Sequence, residues 1–402
     1  MQLLKLSFVI IFSGTLGSLM GAVPEVISQK QELSIEFCIA DIKYNDDALK
    51  ILEFGGGPRS GFDGYDRWFG FGAAWREFWK YLAQFNRPMW YMRTPSFESP
   101  VGKKWLEFIA YETFLGLGGR FALNPEEVEG YISPLSPPAA DGTYPDYNGA
   151  FLMNISRHRP EYGPMNSAMR KKFPSALFIN EIADKFVFNK SKTDRLFRDD
   201  ELRQYRPKSM VCFKRYDAGL AQKIINTMQC DMFVIKPLNA QYGKGIIFVK
   251  KEELSSMLQT ILVEVKKQGQ TKVTLNESVA YWSQDSNSRF MIEEYVPSKL
   301  VELEGKKYDA TLRAIFTMHC LNKKITITVL GAYWKLPIYG IGDDASLNEV
   351  HQSHQYDRAI FSLPVDPVDM RRIREILTTS LTRVYAKMIA STKNKDKKIK
   401  TS

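Results

Sequence analysis

Cysteine and histidine are scarce in this chain, which has four of each among 402 residues. The cysteines are Cys38, Cys212, Cys230 and Cys320. They lie far apart, each in or beside an apolar run, so we expect small buried thiols rather than a disulfide framework. No pair has the CxxC spacing of a zinc site, and only His351 and His354 lie close together. Without a third ligand nearby, these histidines are expected to be structural or to face a substrate.

Long apolar segments are also absent beyond the first 22 residues. There, Lys5 precedes an apolar stretch from Leu6 to Met20 and the small residues Gly21 and Ala22, the pattern of a secretory signal peptide. Ser and Gly interrupt the stretch, which is too short for a membrane span of about 20 residues. We therefore expect an exported protein with no stable membrane span once the signal segment is removed.

Clustered charge is rare as well. The net charge is +10, yet the basic residues are scattered and gather only at 393–400. A basic balance attracts anionic ligands in general, but no arginine and aromatic interleaving typical of a nucleic-acid surface is present. We expect no specific nucleic-acid partner and a solvated basic tail at 391–402.

Strand and helix patterns alternate along the remaining chain, which predicts a mixed α/β (α+β) protein. Apolar runs at 35–42 and 50–54 flank a polar turn and predict a β-hairpin. Apolar residues three or four apart predict a helix at 368–388. Further helices are predicted at 68–82, 193–202 and 251–267, strands at 88–92, 176–178, 232–235, 246–249, 290–295, 309–318 and 325–334, and a long loop at 133–147.

The segment Met232 to Val249, MFVIKPLNAQYGKGIIFV, carries the first chemical signal. Lys236 ends a strand, and Gly243, Lys244 and Gly245 lie in the loop before the next strand. An ammonium group and closely approaching backbone N–H groups suit a phosphate chain, and glycine permits that approach. The spacing does not match a Walker loop, and a plain hairpin turn would also explain the glycines.

The segment FMIEEYVPSKLV at 290–301 predicts an adenine hinge. A strand ends in the acidic pair Glu293 and Glu294, and backbone groups near Glu294 and Val296 could hydrogen-bond an adenine edge. The downstream carboxylate of Glu302 could then meet ribose hydroxyls.

A second acidic residue, Asp309, begins the next long strand, where a carboxylate could coordinate magnesium. Arg313 is predicted to face the same side, because residues two apart on a strand share a face. A cross-strand ion pair would explain this pattern equally well.

In their order along the chain, VIKP, GKGIIFV, EEYV and KYDATLRAI resemble the ATP-grasp superfamily, particularly its tubulin-tyrosine-ligase and glutathione-synthetase branches. The resemblance implies two small α/β lobes that clasp ATP and Mg²⁺, here with an additional N-terminal α/β region.

The resemblance also implies roles for further residues. Lys192 falls where the family keeps its first phosphate-contacting lysine. Lys335 falls at the position of a substrate or phosphate cation, and Asn348 at a polar position near the metals. Arg313 would act beside Lys335 in catalysis, although it follows Asp309 by four residues where tubulin-tyrosine-ligase-like sequences have two.

The C-terminus departs from the family, which normally ends in a strand pair with a Glu-x-Asn metal motif. Residues 40–58 have that form, with Asp41 opening a strand and Glu53 ending its partner, although Gly55 replaces the asparagine. We therefore hypothesise a circular permutation in which 35–60 pairs beside the 309–334 strands and Glu53 joins Asp309 at the metals. An unrelated hairpin is the alternative.

These patterns divide the chain into six parts. They are a signal peptide at 1–22, a hairpin with the permuted metal-binding strand at 23–65, an acceptor-side α/β region at 66–180, the first ATP-grasp lobe at 181–300, the second lobe at 301–390 and the basic disordered tail at 391–402.

The resemblance implies a ligase that uses ATP and Mg²⁺ to activate a carboxylate as an acylphosphate for attack by an amine or thiol. The acceptor is expected to be a small molecule or peptide carboxylate, held near Arg59 and the loop from Lys335 to His354. A kinase of an anionic small molecule and a catalytically silent nucleotide-binding protein are the alternatives. An exported protein would have to act where ATP is present.

Overall fold

Strands and helices alternate through the parts of the chain that the computed structural model describes. These are residues 33–46, 48–59, 62–93, 100–153, 162–187, 189–240, 243–265, 277–353 and 362–400. The predicted signal segment lies outside them. The mixed α/β class predicted from the sequence is confirmed.

The strands are β1 (Leu33–Tyr44), β2 (Leu49–Gly56), β3 (Met89–Met92), β4 (Arg120–Ala122), β5 (Ala150–Met153), β6 (Leu177–Phe178), β7 (Ser209–Phe213), β8 (Met232–Pro237), β9 (Ile247–Lys250), β10 (Arg289–Glu294), β11 (Leu300–Leu303), β12 (Lys306–Asp309), β13 (Thr311–Leu321), β14 (Lys324–Lys335) and β15 (Ser362–Pro364).

The α-helices are α1 (Asp63–Phe69), α2 (Ala73–Ala83), α3 (Pro100–Phe108), α4 (Tyr111–Gly116), α5 (Pro125–Ile132), α6 (Tyr162–Lys172), α7 (Lys190–Leu196), α8 (Asp200–Arg203), α9 (Leu220–Met228), α10 (Leu254–Gln259), α11 (Glu277–Gln284), α12 (Leu347–His351) and α13 (Pro367–Lys400).

The largest sheet among the described residues has the antiparallel order β15-β14-β13-β1-β2. Strand β1 pairs with β13 from Leu33 opposite Leu321 to Ile42 opposite Leu312. The N-terminal hairpin therefore lies beside the 309–334 strands, which is the pairing that the permutation hypothesis predicts.

Strand β1 is covered on both faces, which explains its nearly continuous apolar sequence. Alternate side chains point to opposite faces. Phe37 and Ile39 pack with the aromatic residues of α2, whereas Ala40 and Ile42 pack in the core that α13 covers through Leu377. This strand therefore joins two hydrophobic cores.

Three smaller sheets accompany it among the described residues, one of them the two-stranded pair β11-β12. In the predicted first lobe, the described strands form the antiparallel order β7-β10-β8-β9, and α9 and α10 cover one face around Phe233, Ile235 and Trp282. In the N-terminal region, β4-β3-β5-β6 is parallel, and β3, β5 and β6 are buried.

Three predicted helices differ from the structure. The helix predicted at 68–82 is split into α1 and α2, because Gly70 and Gly72 have positive φ angles of 90° and 72°. The helix predicted at 193–202 is split into α7 and α8 by an extended Asp199. The one predicted at 251–267 runs as successive 3-10, α and π turns to Glu264.

The final helix is longer than predicted. It continues past Met388 to Lys400, so the structure describes 391–400 as helix rather than as a disordered tail. This sequence contains no Gly or Pro after Pro367 and is rich in Lys, a good helix former. Within the described ranges, every helix is too short or too polar to span a bilayer.

Replacing Phe37 tests the junction between the two cores. Its ring is fully buried and stacks on Phe78 at a centroid distance of 4.1 Å. We expect Phe37→Ala to lower the free energy of unfolding by about 3–5 kcal/mol, because the cavity cannot close fully. The exposed Val368→Ala should change it by less than about 0.5 kcal/mol. Equal urea midpoints for both variants would contradict this packing.

Candidate active site

Side chains from both lobes line one cleft of about 680 Å³. Lys236 on β8 and Glu293 on β10 face it from the first lobe, and Asp41 on β1, Glu53 on β2 and Lys335 on β14 face it from the largest sheet. The structure thus gathers residues of the phosphate, adenine and permuted segments around a common space.

One end of the cleft is apolar and bordered by backbone. Val234, Ile246 and Phe248 line it together with the segment from Glu294 to Val296. The Tyr295 N–H donates to the Met232 carbonyl at 2.9 Å, which fixes this segment beside β8. An apolar slot next to a backbone edge suits a flat heterocycle.

The glycines of the predicted flap are required by its backbone. Gly243 and Gly245 both have φ angles of 69°, a left-handed conformation that side chains rarely adopt. A Cβ atom at Gly245 would also lie 2.7 Å from Pro237. Gly243 lines the cleft, whereas Lys244 is exposed and does not.

A buried ion cluster lies beneath this flap. Glu293 is 1% exposed and accepts hydrogen bonds from both Lys236 and Arg206. Burial raises the pKa of Glu293, but the charges of Arg206 and Lys236 outweigh it and hold the pKa below its usual value. Arg206 also donates to the Ile51 carbonyl at 2.9 Å, which ties the first lobe to β2.

A second ion cluster lies on the face of the largest sheet. Arg313 donates to both oxygens of Asp41 at 2.7 and 2.8 Å, and Lys335 donates to the same carboxylate at 3.0 Å. Burial opposes ionisation, yet the two cations hold the pKa of Asp41 well below its usual range. Asp41 also lies directly opposite Glu53 in the β1–β2 register, which puts two carboxylates side by side.

Asp309 is the centre of a third cluster. Its carboxylate accepts from the Lys43 ammonium at 2.8 Å, the Tyr295 hydroxyl at 2.8 Å and the Ser298 N–H at 2.9 Å, and lies 2.9 Å from Nδ1 of His351. Burial raises the pKa of Asp309, but Lys43 and the hydrogen bonds bring it down to about 2. Lys43, Tyr295 and His351 all line the cleft, whereas Asp309 is not among the lining residues.

Neither Lys192, the first predicted phosphate lysine, nor its neighbour Lys190 is among the residues that line the cleft. The Lys192 ammonium donates to the Lys185 carbonyl at 3.3 Å, and Lys192 is not among the residues that line the cleft. Lys190 instead lies 3.6 Å from Glu53 and donates to the Ala240 carbonyl at 2.6 Å. Because α7 begins at Lys190, a shift of two residues changes the helix face by about 200°.

Asn348 does not have the predicted metal-ligand role. Its amide oxygen accepts from the Phe248 N–H at 2.9 Å, and its amide nitrogen donates to the Ile246 carbonyl at 2.6 Å. Both ends of the amide therefore hold α12 against β9. Glu302 is exposed on β11 and is not among the residues that line the cleft, and its ribose contact stays a prediction.

The remaining predictions have mixed outcomes. Glu53, Lys236, Gly243, Glu293, Glu294, Val296 and Lys335 line the cleft. Arg313 is buried behind Asp41 rather than facing the cleft. The side chain of Arg59 and residue His354 lie outside the described part of the chain. The catalytic and binding roles assigned to these residues stay predictions.

The carboxylates that could hold magnesium already pair with cations. Among the described residues, no group of three His, Cys, Asp or Glu side chains could enclose a metal. Mg²⁺ that arrives with a nucleotide needs only one or two carboxylates besides the phosphates. Glu53 and Asp41 lie opposite each other in the cleft, but both oxygens of Asp41 already accept from Arg313 and Lys335, so a metal there would compete with Lys335. At Asp309, Oδ2 already accepts from Lys43 and Tyr295.

Sequence reasoning missed Lys43, Lys190, Arg206 and Thr311 as cleft or cluster residues. Lys43 had a usable signal, because it follows Asp41 by two residues in the apolar run FCIADIKY. Two polar side chains on one face of an otherwise apolar strand predict a buried polar site. Arg206 and Lys190 come from loop and helix starts, where no periodicity gives the direction of a side chain.

No protein-family model and no curated protein matches the chain. Among solved structures, a candidate gamma-glutamylcysteine synthetase of Methylobacillus flagellatus KT is 12% identical, covers 90% of both chains and has a TM-score of 0.46. D-alanyl-alanine synthetase A of Vibrio cholerae is 12% identical over 75% of this chain and 80% of its own, with a TM-score of 0.36. D-cycloserine synthetase is 12% identical over 60% and 66%, with a TM-score of 0.34. All three TM-scores lie below 0.5, so these likenesses carry no argument about the fold or the activity of this chain.

Removing the charge of Asp41 tests the second ion cluster. Asp41→Asn leaves Arg313 and Lys335 buried without a counter-charge, so we expect the free energy of unfolding at pH 7 to fall by about 3–5 kcal/mol. The Asp41 contribution exists above its ordinary pKa of 3.8 and is lost as the pH falls through the lower folded value. The deficit in urea stability should therefore shrink below about pH 4.

The matched control is Asp343→Asn, which removes the carboxylate from an exposed pair with Lys306. Exposed ion pairs contribute little, so its urea midpoint should equal that of the wild type. A midpoint for Asp41→Asn that also equals the wild type would contradict the described cluster.

Proposed function

We propose that the cleft binds ATP, with the purine at the apolar end and the phosphates over the lysines. The single observation that carries this proposal is the convergence of both features in one cleft between two lobes. The Glu294–Val296 backbone borders the apolar end. Lys236 and Lys335 also line the cleft, each from a different sheet. A triphosphate needs several fixed cations, and one side chain from each lobe can contact it when the lobes clasp it.

We further propose that the enzyme is an ATP-dependent ligase, in which the γ-phosphoryl group is transferred to a carboxylate and an amine or thiol displaces phosphate from the acylphosphate. Asp41 and Glu53 would hold Mg²⁺, which when bound supplies charge neutralisation to the phosphates. Lys236 positions the phosphate chain, and Lys335 lies beside the reacting groups to neutralise charge that develops on transfer.

A catalytically silent nucleotide-binding protein is the second candidate. It is favoured by the state of Asp41, whose two oxygens are both bonded to cations. A bound metal would have to compete with Lys335 for one of these oxygens.

The acceptor and the location belong to the proposal as well. We propose a small-molecule or peptide carboxylate as acceptor, next to the backbone of the Gly57–Arg59 turn that follows β2. Export rests on the signal pattern of residues 1–22 and requires a compartment that contains ATP.

Lys236→Met tests nucleotide binding, because methionine keeps the length of the side chain and removes its charge. We expect at least about a tenfold rise in the Kd for ATP, since a hydrogen bond to a charged group contributes about 1.5–3 kcal/mol. Isothermal titration calorimetry measures it directly. Lys250→Met is the matched control, because Lys250 is exposed at the end of the neighbouring strand β9. Equal affinities of the two variants for ATP would contradict a phosphate contact by Lys236.

Product analysis separates the candidate activities. Purified protein with ATP, Mg²⁺ and a pool of carboxylates and amines should release phosphate and form an amide or thioester, detected by mass spectrometry. A stable phosphorylated product without amide would instead support a kinase. Tight ATP binding without turnover would support the silent protein and contradict the ligase.

A further inference from the structure

Three oxygen atoms surround the Lys43 ammonium, as oxygen ligands surround a bound metal ion. It donates to Oδ2 of Asp309 at 2.8 Å, to the Asp309 carbonyl at 3.2 Å and to the Ala310 carbonyl at 3.3 Å. An ammonium group has three N–H donors, so these contacts use its full capacity. The side chain is 4% exposed, although it lines the cleft.

This arrangement disagrees with the magnesium ligand that the sequence predicts at Asp309. The oxygens of Asp309 are taken by Lys43, by the Ser298 N–H and by Tyr295, and Nδ1 of His351 lies against the same carboxylate. A divalent ion at Asp309 would have to displace a buried ammonium that is covalently part of β1. No neighbouring carboxylate among the described residues completes a metal site there.

The backbone explains why Lys43 reaches this position. Asp41 and Lys43 are two residues apart on β1, so their side chains share one face of the sheet. The pairing of β1 with β13 ends at Ile42 opposite Leu312, which leaves Lys43 beside the Asp309–Ala310 segment that precedes β13. Sheet register therefore fixes the ammonium against these oxygens.

We propose that Lys43 is a tethered cation that takes the place of a metal ion at Asp309. The ammonium then stays at this position when a chelator removes free metal, and no divalent ion bound with a nucleoside triphosphate contacts Asp309. The role toward nucleotide rests on the proposed function, whereas the exclusion of metal from Asp309 does not.

The test is the number of Mn²⁺ ions bound without nucleotide, counted by the loss of the free-ion electron paramagnetic resonance signal. Lys43→Met removes the ammonium and leaves the carboxylate and two carbonyls facing a space of similar shape. We expect this variant to bind one Mn²⁺ more than the wild type under the same conditions. A folded Lys43→Met protein that binds no additional Mn²⁺ would overturn the proposal.

The double variant K43M/D309N is the matched control, because it removes both charges of the pair and leaves no unpaired buried ion. It should lack the additional Mn²⁺ and bind as many ions as the wild type. If Lys43→Met alone does not fold, the comparison of wild type with K43M/D309N still decides. Equal ion counts support the tethered cation, and one ion fewer in the double variant shows that Asp309 holds a metal in the wild type.

Nucleotide binding gives a separate readout. With a non-hydrolysable ATP analogue, replacement of Mg²⁺ by EDTA should weaken binding by a larger factor in Lys43→Met than in the wild type, because the chelator removes the metal that replaces the ammonium. Equal factors would overturn the role toward nucleotide. Absence of any analogue binding to the wild type would overturn the proposed function and leave the Mn²⁺ count at Asp309 valid.

Discussion

The antiparallel pairing of β1 with β13 is the contact on which the site depends. It places an N-terminal strand inside the sheet formed by the C-terminal half of the chain, with Asp41 opposite Arg313 and next to Glu53. The same strand carries Phe37 into one core and Ile42 into another. A shift of one residue in the β1–β13 register would turn every side chain of β1 to the opposite face. Burial of the apolar side chains of β1 therefore also fixes the positions of its charged side chains.

The charges of the cleft form a connected system rather than separate sites. Each buried carboxylate, in Asp41, Glu293 and Asp309, pairs with at least one cation from another element. Burial of such groups is costly without partners, so each pair holds its elements in a defined arrangement. Arg206 extends this effect by linking Glu293 on β10 to the backbone of β2. A phosphate chain entering the cleft would meet cations that are already oriented.

Sequence patterns predicted the sheet and much of the cleft, because both rest on local periodicity and on motifs that span few residues. Lys236 and Glu293 follow apolar strands, so their place at a strand end could be read directly. Lys190 and Asn348 could not be placed in this way. The direction of Lys190 depends on where α7 begins, and both ends of the Asn348 amide are used by β9, a partner about 100 residues away in sequence. Tertiary contacts of this kind leave no signal in the local pattern.

A crystal structure with a non-hydrolysable ATP analogue would test the central claim most directly. The account predicts the purine between Val234, Phe248 and the Tyr295 backbone, the triphosphate within hydrogen-bonding distance of Lys236, and the Lys43 ammonium still on Asp309. An analogue bound outside this cleft, or a metal ion coordinated by Asp309 with Lys43 displaced, would contradict it.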